Sequence, residues 1–154
     1  MEIRAARIDD VPAIQALIRT HAERGKMVLR TLDEIYSNLR EYIVSEMKGR
    51  IVGVAATHIF WSDLAELKCL AVDEGSMGKG IGSALLEGCL QQMSSLGVGR
   101  LFTLTRERQF FVKNGYAVIE KERLPRFIWG ECVRCPTFPV CNEDALIRDV
   151  PKRS

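Results

Sequence analysis

Gly78, Gly80 and Gly82 alternate within Met77-Gly78-Lys79-Gly80-Ile81-Gly82-Ser83. The segment lies between an apolar run from Ala65 to Val72 and a stretch in which Ile81, Leu85, Cys89 and Met93 recur at helical spacing. Glycines at a strand-to-helix junction let successive backbone N–H groups converge on an anion at the positive end of the helix. The chemistry this spacing suits is the cradling of a pyrophosphate, with Lys79 adding charge. Two phosphate-loop spacings are absent. A Walker loop needs Gly-Lys followed by Ser or Thr, with a glycine five positions upstream; here Gly80 follows Lys79, and Asp73 stands upstream. The dinucleotide-binding spacing would place its third glycine where this chain has Ser83.

Other reactive side chains are grouped nearby. Glu66 and Lys68 are two residues apart and share a strand face by period-two alternation, so they could pair or share a site. Cys132, Cys135 and Cys141 are concentrated in a proline-containing tail. A tetrahedral zinc site there would need a fourth ligand from Cys69, a histidine or Glu143. The same thiols also suit a packed tail of reduced cysteines or a redox pair. His21 and His58 have no nucleophile or ligand set beside them.

The elements that must position these groups follow from periodicity and turn signals. Ile3 begins a short strand, and Asp9 or Asp10 can cap a helix bearing Val11, Ile14, Leu17 and Ile18 on one face, with Pro12 in its first turn. The loop Gly25 to Arg30 is long enough to reach a site, and Thr31 to Glu34 has capping-box spacing for a second helix. Tyr42 to Met47, a Lys48-Gly49-Arg50 turn, Ile51 to Phe60 and residues 64–72 form an antiparallel meander. After the glycine loop and its helix come a strand from Gly99 to Leu104, a short helix from Glu107 to Lys113 and a strand from Tyr116 to Lys121. This order predicts an α+β fold: a mixed, mostly antiparallel sheet with helices on both faces.

A chain of 154 residues fits one domain, with a core over 1–123 and a Pro- and Cys-containing extension over 124–154. A formal net charge of +2 gives no bulk electrostatic argument for nucleic-acid or membrane binding. No apolar run approaches the about 20 residues that span a bilayer, and Met1-Glu2-Ile3-Arg4 does not resemble a signal peptide. The expectation is a soluble cytoplasmic protein, with its odd number of cysteines, 5, suiting a reducing compartment.

The glycine loop resembles the acyl-CoA loop of the GNAT acetyltransferases, Gln/Arg-x-x-Gly-x-Gly/Ala at a helix start. Gly80 and Gly82 match, and Met77 stands where Arg or Gln is usual. The predicted element order is that of the GNAT acyl-CoA N-acyltransferase fold. Three further segments resemble the N-acetylglutamate synthase branch: Met27 to Thr31, Gly99 to Thr105, and Phe110-Phe111-Val112-Lys113-Asn114-Gly115-Tyr116 followed by Leu124-Pro125. The chain resembles the short, single-domain form of that branch. It has no room for the amino-acid-kinase-like domain that many synthases carry, so arginine feedback through such a domain is not expected.

The resemblance implies acetyl transfer from acetyl-CoA to a small-molecule amine, the α-amine of L-glutamate at the first step of arginine biosynthesis, by direct attack in a ternary complex. It assigns the pantetheine arm to backbone groups of Leu70, Ala71 and Val72, the oxyanion to the N–H of Cys69 or Leu70, and the pyrophosphate to Met77, Gly78, Lys79, Gly80, Ile81, Gly82 and Ser83. Glu66 would take the amine's proton and Thr105 would protonate the thiolate. Phe111 is assigned to the cofactor side, and it replaces the proton-donating tyrosine of many relatives. Glutamate's two carboxylates call for cations. Arg30 is the first choice, with Lys68 and Arg134 as further candidates and Arg106 and Arg126 behind them. The readings left open are another amine (amino acid, polyamine or protein N-terminus), a non-catalytic acyl-CoA-binding or metal-linked module, and assembly as a homodimer.

Overall fold

A computed structural model describes residues 1–124 and 143–152. Glu2–Ala5 is the first strand, β1, and Val11–Glu23 the first helix, α1. Asp10 does not cap α1 with its side chain. Its carboxylate accepts the backbone N–H of Arg7 at 2.7 Å and a two-pronged bond from Arg4 at 2.7 and 3.0 Å. It therefore closes a short 3-10 turn and joins β1 to α1. The Arg4 guanidinium also donates to Glu46 at 2.7 Å, and its bond to Asp10 holds that carboxyl below its ordinary range. The next helix, α2 (Leu32–Ser37), begins with the expected capping box, in which Thr31 Oγ1 accepts from Glu34 N at 3.3 Å.

The meander forms as the alternation predicts: β2 is Tyr42–Met47, β3 Arg50–Trp61 and β4 Leu64–Val72. Lys48 and Gly49 turn the first hairpin with positive φ at both positions. Helix α3 (Ile81–Leu96) follows, then β5 (Arg100–Thr105), α4 (Arg108–Lys113) and β6 (Ala117–Ile119). One strand departs from expectation. Asp144–Asp149, within the stretch assigned to an extension, is strand β7 of the main sheet, whose order is β1-β2-β3-β4-β5-β7-β6. Its Ala145 and Leu146 are buried, and the charged residues at both ends hide it from a search for alternation.

α3 covers one face of the sheet through Leu85, Leu86, Cys89 and Met93, and α1 with α2 covers the other through Ile14, Ile18 and Ile35. α3 comes so close to the sheet that a Cβ on Gly53 would lie 2.8 Å from Leu85 Cδ1. Two irregularities in β4 matter for function. Its register with β3 passes from Ala56↔Cys69 to Thr57↔Leu67, leaving Lys68 as the extra residue of a bulge. The consequence shows in the packing: Ala65 and Leu67 belong to the α3 side, whereas Cys69 and Ala71, in the same odd series, belong to the α1 side. Beyond the bulge, β4 and β5 part. Their parallel pairing covers only Leu64 to Glu66 against Arg100 to Phe102, although both strands continue.

Candidate active site

The parting of β4 and β5 opens a cleft of about 810 Å³, walled by both strands, the glycine loop, the start of α3, α4 and the loop after α1. Thr103 Oγ1 donates to the Leu67 carbonyl at 3.1 Å at the base of the split. Along β4 the backbone groups alternate in direction. Asp73 N–H bonds the Val52 carbonyl at 2.8 Å, so Asp73, Ala71 and Cys69 turn toward β3, while Leu70 and Val72 turn their N–H and C=O groups to the open edge. Ala71 is thereby withdrawn from the cleft: its backbone faces β3 and its side chain is buried against α1.

At the glycine loop, Gly78 and Gly80 have φ of 82° and 78°, a left-handed conformation costly for any residue with a Cβ. Gly80 stands at the N-terminus of α3, where Ile81, Gly82 and Ser83 have no preceding helical carbonyls for their N–H groups. Those donors, the absence of side chains at three alternate positions and the positive end of a long helix fit a pyrophosphate. A Cβ on Gly82 would come within 3.1 Å of Phe110 Cζ, so that ring closes over the first turn. Met77, Gly78, Gly80, Ile81, Gly82 and Ser83 line the cleft; Lys79 is exposed and lies off its wall. Phe111 is buried, stacked edge-on against both Phe110 and Tyr116 at 5.2 Å.

The other side of the cleft is made of side chains. Glu66 is 7% and Arg30 5% exposed, and both line it. Lys68 projects from the bulge with its ammonium over the Tyr42 ring, 5.6 Å from the centroid, and paired to Glu41. The other oxygen of Glu41 meets His58 Nδ1 at 2.6 Å. Burial pushes the Cys69 thiol up to about 11, with Arg30 and then Lys68 pulling it the other way, so both cations act at this spot. Thr105, at the end of β5, accepts the Glu107 N–H at 2.9 Å, which leaves its own O–H as a donor.

The fold thus brings together Glu66, Lys68, Leu70, Val72, Thr105, Phe111, Arg30 and the glycine loop; Cys69 lines the cleft, but its N–H turns toward β3 like that of Ala71, which removes it as an oxyanion donor and leaves Leu70. Arg126, Arg134, Cys132, Cys135 and Cys141 lie outside the described residues. Glu143, named from sequence only as a possible fourth ligand of a zinc site, and His21, given no role of its own, also line the cleft. Glu143, just before β7, faces the cleft with its carboxyl raised by burial, an effect that Arg106 and Lys121 oppose. His21 is buried, and its Nε2 lies 3.0 Å from the Val72 carbonyl. The signal for His21 was its place on the apolar face of α1, after Ile14 and Ile18.

Comparison with known proteins agrees with this architecture. Residues 12–116 match the model of the acetyltransferase (GNAT) family. The chain is 36% identical over 146 residues to an uncharacterized N-acetyltransferase of Chlorobaculum tepidum, covering 95% of this chain and 94% of that one. It is 38% identical over 136 residues to an amino-acid acetyltransferase of Mycobacterium tuberculosis, covering 86% and 77%. Among solved structures, N-acetylglutamate synthase from Neisseria gonorrhoeae, complexed with coenzyme A and N-acetyl-glutamate, superposes with a TM-score of 0.89 at 27% identity, over 98% of this chain and 35% of that one. With a catalytic-sized cleft at the split of β4 and β5, a glycine-capped helix at its rim and a family match over most of its length, the chain belongs to the GNAT acetyltransferase family.

Proposed function

We propose that this acetyltransferase transfers the acetyl group of acetyl-CoA to the α-amine of L-glutamate, in the cytoplasm and in the service of arginine biosynthesis. The observation that carries the reading is the placement of a buried arginine, Arg30, and a bulge lysine, Lys68, on the cleft wall that also holds Glu66. An arginine fork suits one carboxylate of an acidic acceptor, and Lys68 can exchange Glu41 for the other. Support comes also from the amino-acid acetyltransferase among the relatives and the N-acetylglutamate synthase among the structural neighbours.

In this reading the pyrophosphate of acetyl-CoA rests on the N–H groups at the start of α3, and the pantetheine arm runs beside the open edge of β4. The acceptor's ammonium loses a proton to Glu66, directly or through water. The amine nitrogen then attacks the thioester carbonyl carbon, and the negative charge that develops on its oxygen is met by the Leu70 N–H, which faces the cleft. As the C–N bond is completed the C–S bond breaks and the departing thiolate takes the proton of Thr105, whose hydroxyl is restored, directly or through water, by the second proton that the nitrogen sheds as it becomes an amide. Cys69 is poorly placed to act as an acyl carrier, because a thiol raised to about 11 stays protonated at neutral pH. Direct transfer in a ternary complex is the route that suits these groups.

The test is release of free CoA from acetyl-CoA across a panel of amino acids and polyamines, with Arg30→Ala as control. Glutamate should be preferred, and the preference should be lost in the variant. A polyamine preference would instead implicate the carboxylates Glu66 and Glu143. A glutamate rate untouched by Arg30→Ala would remove the acceptor assignment.

A further inference from the structure

His21 holds both sides of the cleft at once. Its side chain bonds the Val72 carbonyl at 3.0 Å; because a carbonyl only accepts, Nε2 carries the hydrogen. That carbonyl lies on the open edge of β4, immediately before the turn that leads into the glycine loop. Its backbone carbonyl, in turn, receives the N–H of Lys26 at 3.0 Å, while Gly25 N–H bonds the Ala22 carbonyl at 2.9 Å. These two bonds form a Schellman motif that fixes the direction in which the loop carrying Met27, Val28 and Arg30 leaves α1. A second tie is parallel to the first: Arg24, at the end of α1, pairs with Glu74 in the short turn before the glycine loop. Those side chains are largely exposed, so the pair contributes little. His21 is buried, and replacing its donor would leave the Val72 carbonyl without that partner.

We propose that His21 is a positioning residue that couples the two ligand sites, so that occupation of the glycine loop and β4 edge by CoA steadies the loop 25–30 and the Arg30 it carries. The inference rests on the CoA site described under the proposed function, and it would make donor binding favour acceptor binding. The path is short and specific: Val72 carbonyl, His21 ring, His21 carbonyl, Lys26 N–H, acceptor loop. Nothing in it depends on which amine is the acceptor.

Hydrogen exchange read by mass spectrometry on the full chain, with and without CoA, tests this. In the parent protein CoA should slow exchange in residues 77–83 and also in residues 25–30, the latter about fivefold or more, the low end of ordinary coupling. His21→Leu, similar in size but without a donor, should keep the first effect and lose the second. His21→Gln, whose Nε2 amide can reach a similar position, should restore it. Arg24→Ala should leave it nearly unchanged. A purely structural role for His21 would raise exchange in both states equally and leave the CoA-dependent difference intact; that result would overturn the proposal. So would protection of 77–83 without any change at 25–30 in the parent protein, a result that leaves the CoA site standing. Absence of protection at both segments would remove the CoA site itself, and the coupling with it.

Discussion

The two walls of the cleft are made of different material. On the glycine-loop side the ligand-facing groups are backbone: the N–H groups at the start of α3, left-handed Gly78 and Gly80, and the open edge of β4 at Leu70 and Val72. On the Arg30 side they are side chains with charge, namely Arg30, Glu66 and Lys68 with its partner Glu41. Backbone donors suit a ligand part that never changes, such as the pyrophosphate of a common acyl carrier. Side chains are where one relative can differ from another in acceptor while the fold and donor stay the same. Substitutions should therefore divide by wall, with donor binding sensitive to glycine and acceptor chemistry sensitive to charge.

The largest effect expected is at Glu66. Glu66→Gln keeps the shape and removes the base, and kcat should fall by about 100-fold or more with both KM values little changed. Steady-state CoA release over a pH series checks it; a kcat within about threefold of the parent would mean that another group takes the proton. Next is Arg30→Ala, for which the acceptor's KM should rise about 30-fold and the KM for acetyl-CoA should hold, because a charged hydrogen-bond pair is lost on one wall only. Arg30→Lys should recover part of this loss, since it returns the charge without the fork. A rise in the acetyl-CoA KM of the same size would show that the walls are not separate.

Gly80→Val tests the opposite wall. A β-branched residue at a φ of 78° is strained, and the cradle must shift to relieve it. The acetyl-CoA KM should rise about tenfold, with the acceptor's KM retained, in a variant whose thermal unfolding still shows one folded population. Side-chain trimming on the same wall should do far less. Met77→Ala and Ser83→Ala leave the N–H groups in place, so changes of no more than about threefold in the acetyl-CoA KM are expected. A larger effect from Ser83→Ala would show that its hydroxyl, and not the backbone alone, reaches the phosphates.

This division also explains what could be read from residues alone. The glycine wall is local in sequence: three glycines and the following helical repeat lie within one segment, and its outline needed no tertiary knowledge. The capping box at Thr31 and the meander to Val72 were legible for the same reason. The charged wall is assembled from distant segments. That Lys68 meets Glu41 depends on a bulge that no residue type announces, and His58 joins the pair across β3. Ala71 looked equivalent to Leu70 and Val72, although the direction of its backbone excludes it from the cleft. β7 was missed because Asp144–Asp149 is short, charged at its ends and far in sequence from β5 and β6, its neighbours in the sheet. Strand pairing, and not local propensity, decides such a segment.

Cys69 offers the gentlest probe of the charged wall, because its thiol reports the local field and the proposed transfer does not use it. Burial raises it to about 11, against the pull of Arg30 and Lys68. The alkylation rate of Cys69 in the native protein, followed against pH by peptide mass spectrometry, should therefore stay low through pH 9 and climb toward about 11. Removing either cation takes away a group that favours the thiolate, so the curve should move to higher pH in Arg30→Ala and, less far, in Lys68→Met. Cys69→Ala should leave kcat within about threefold, as befits a residue outside the chemistry. The sign of the shift is what matters. If Arg30→Ala moved the curve to lower pH, better access of water to the thiol would outweigh the lost charge, and Arg30 would be a packing element of the wall before it is a binding group for an acidic acceptor. A shift to higher pH, together with the rise in acceptor KM, would mean that one positive charge acts on both the thiol and the substrate.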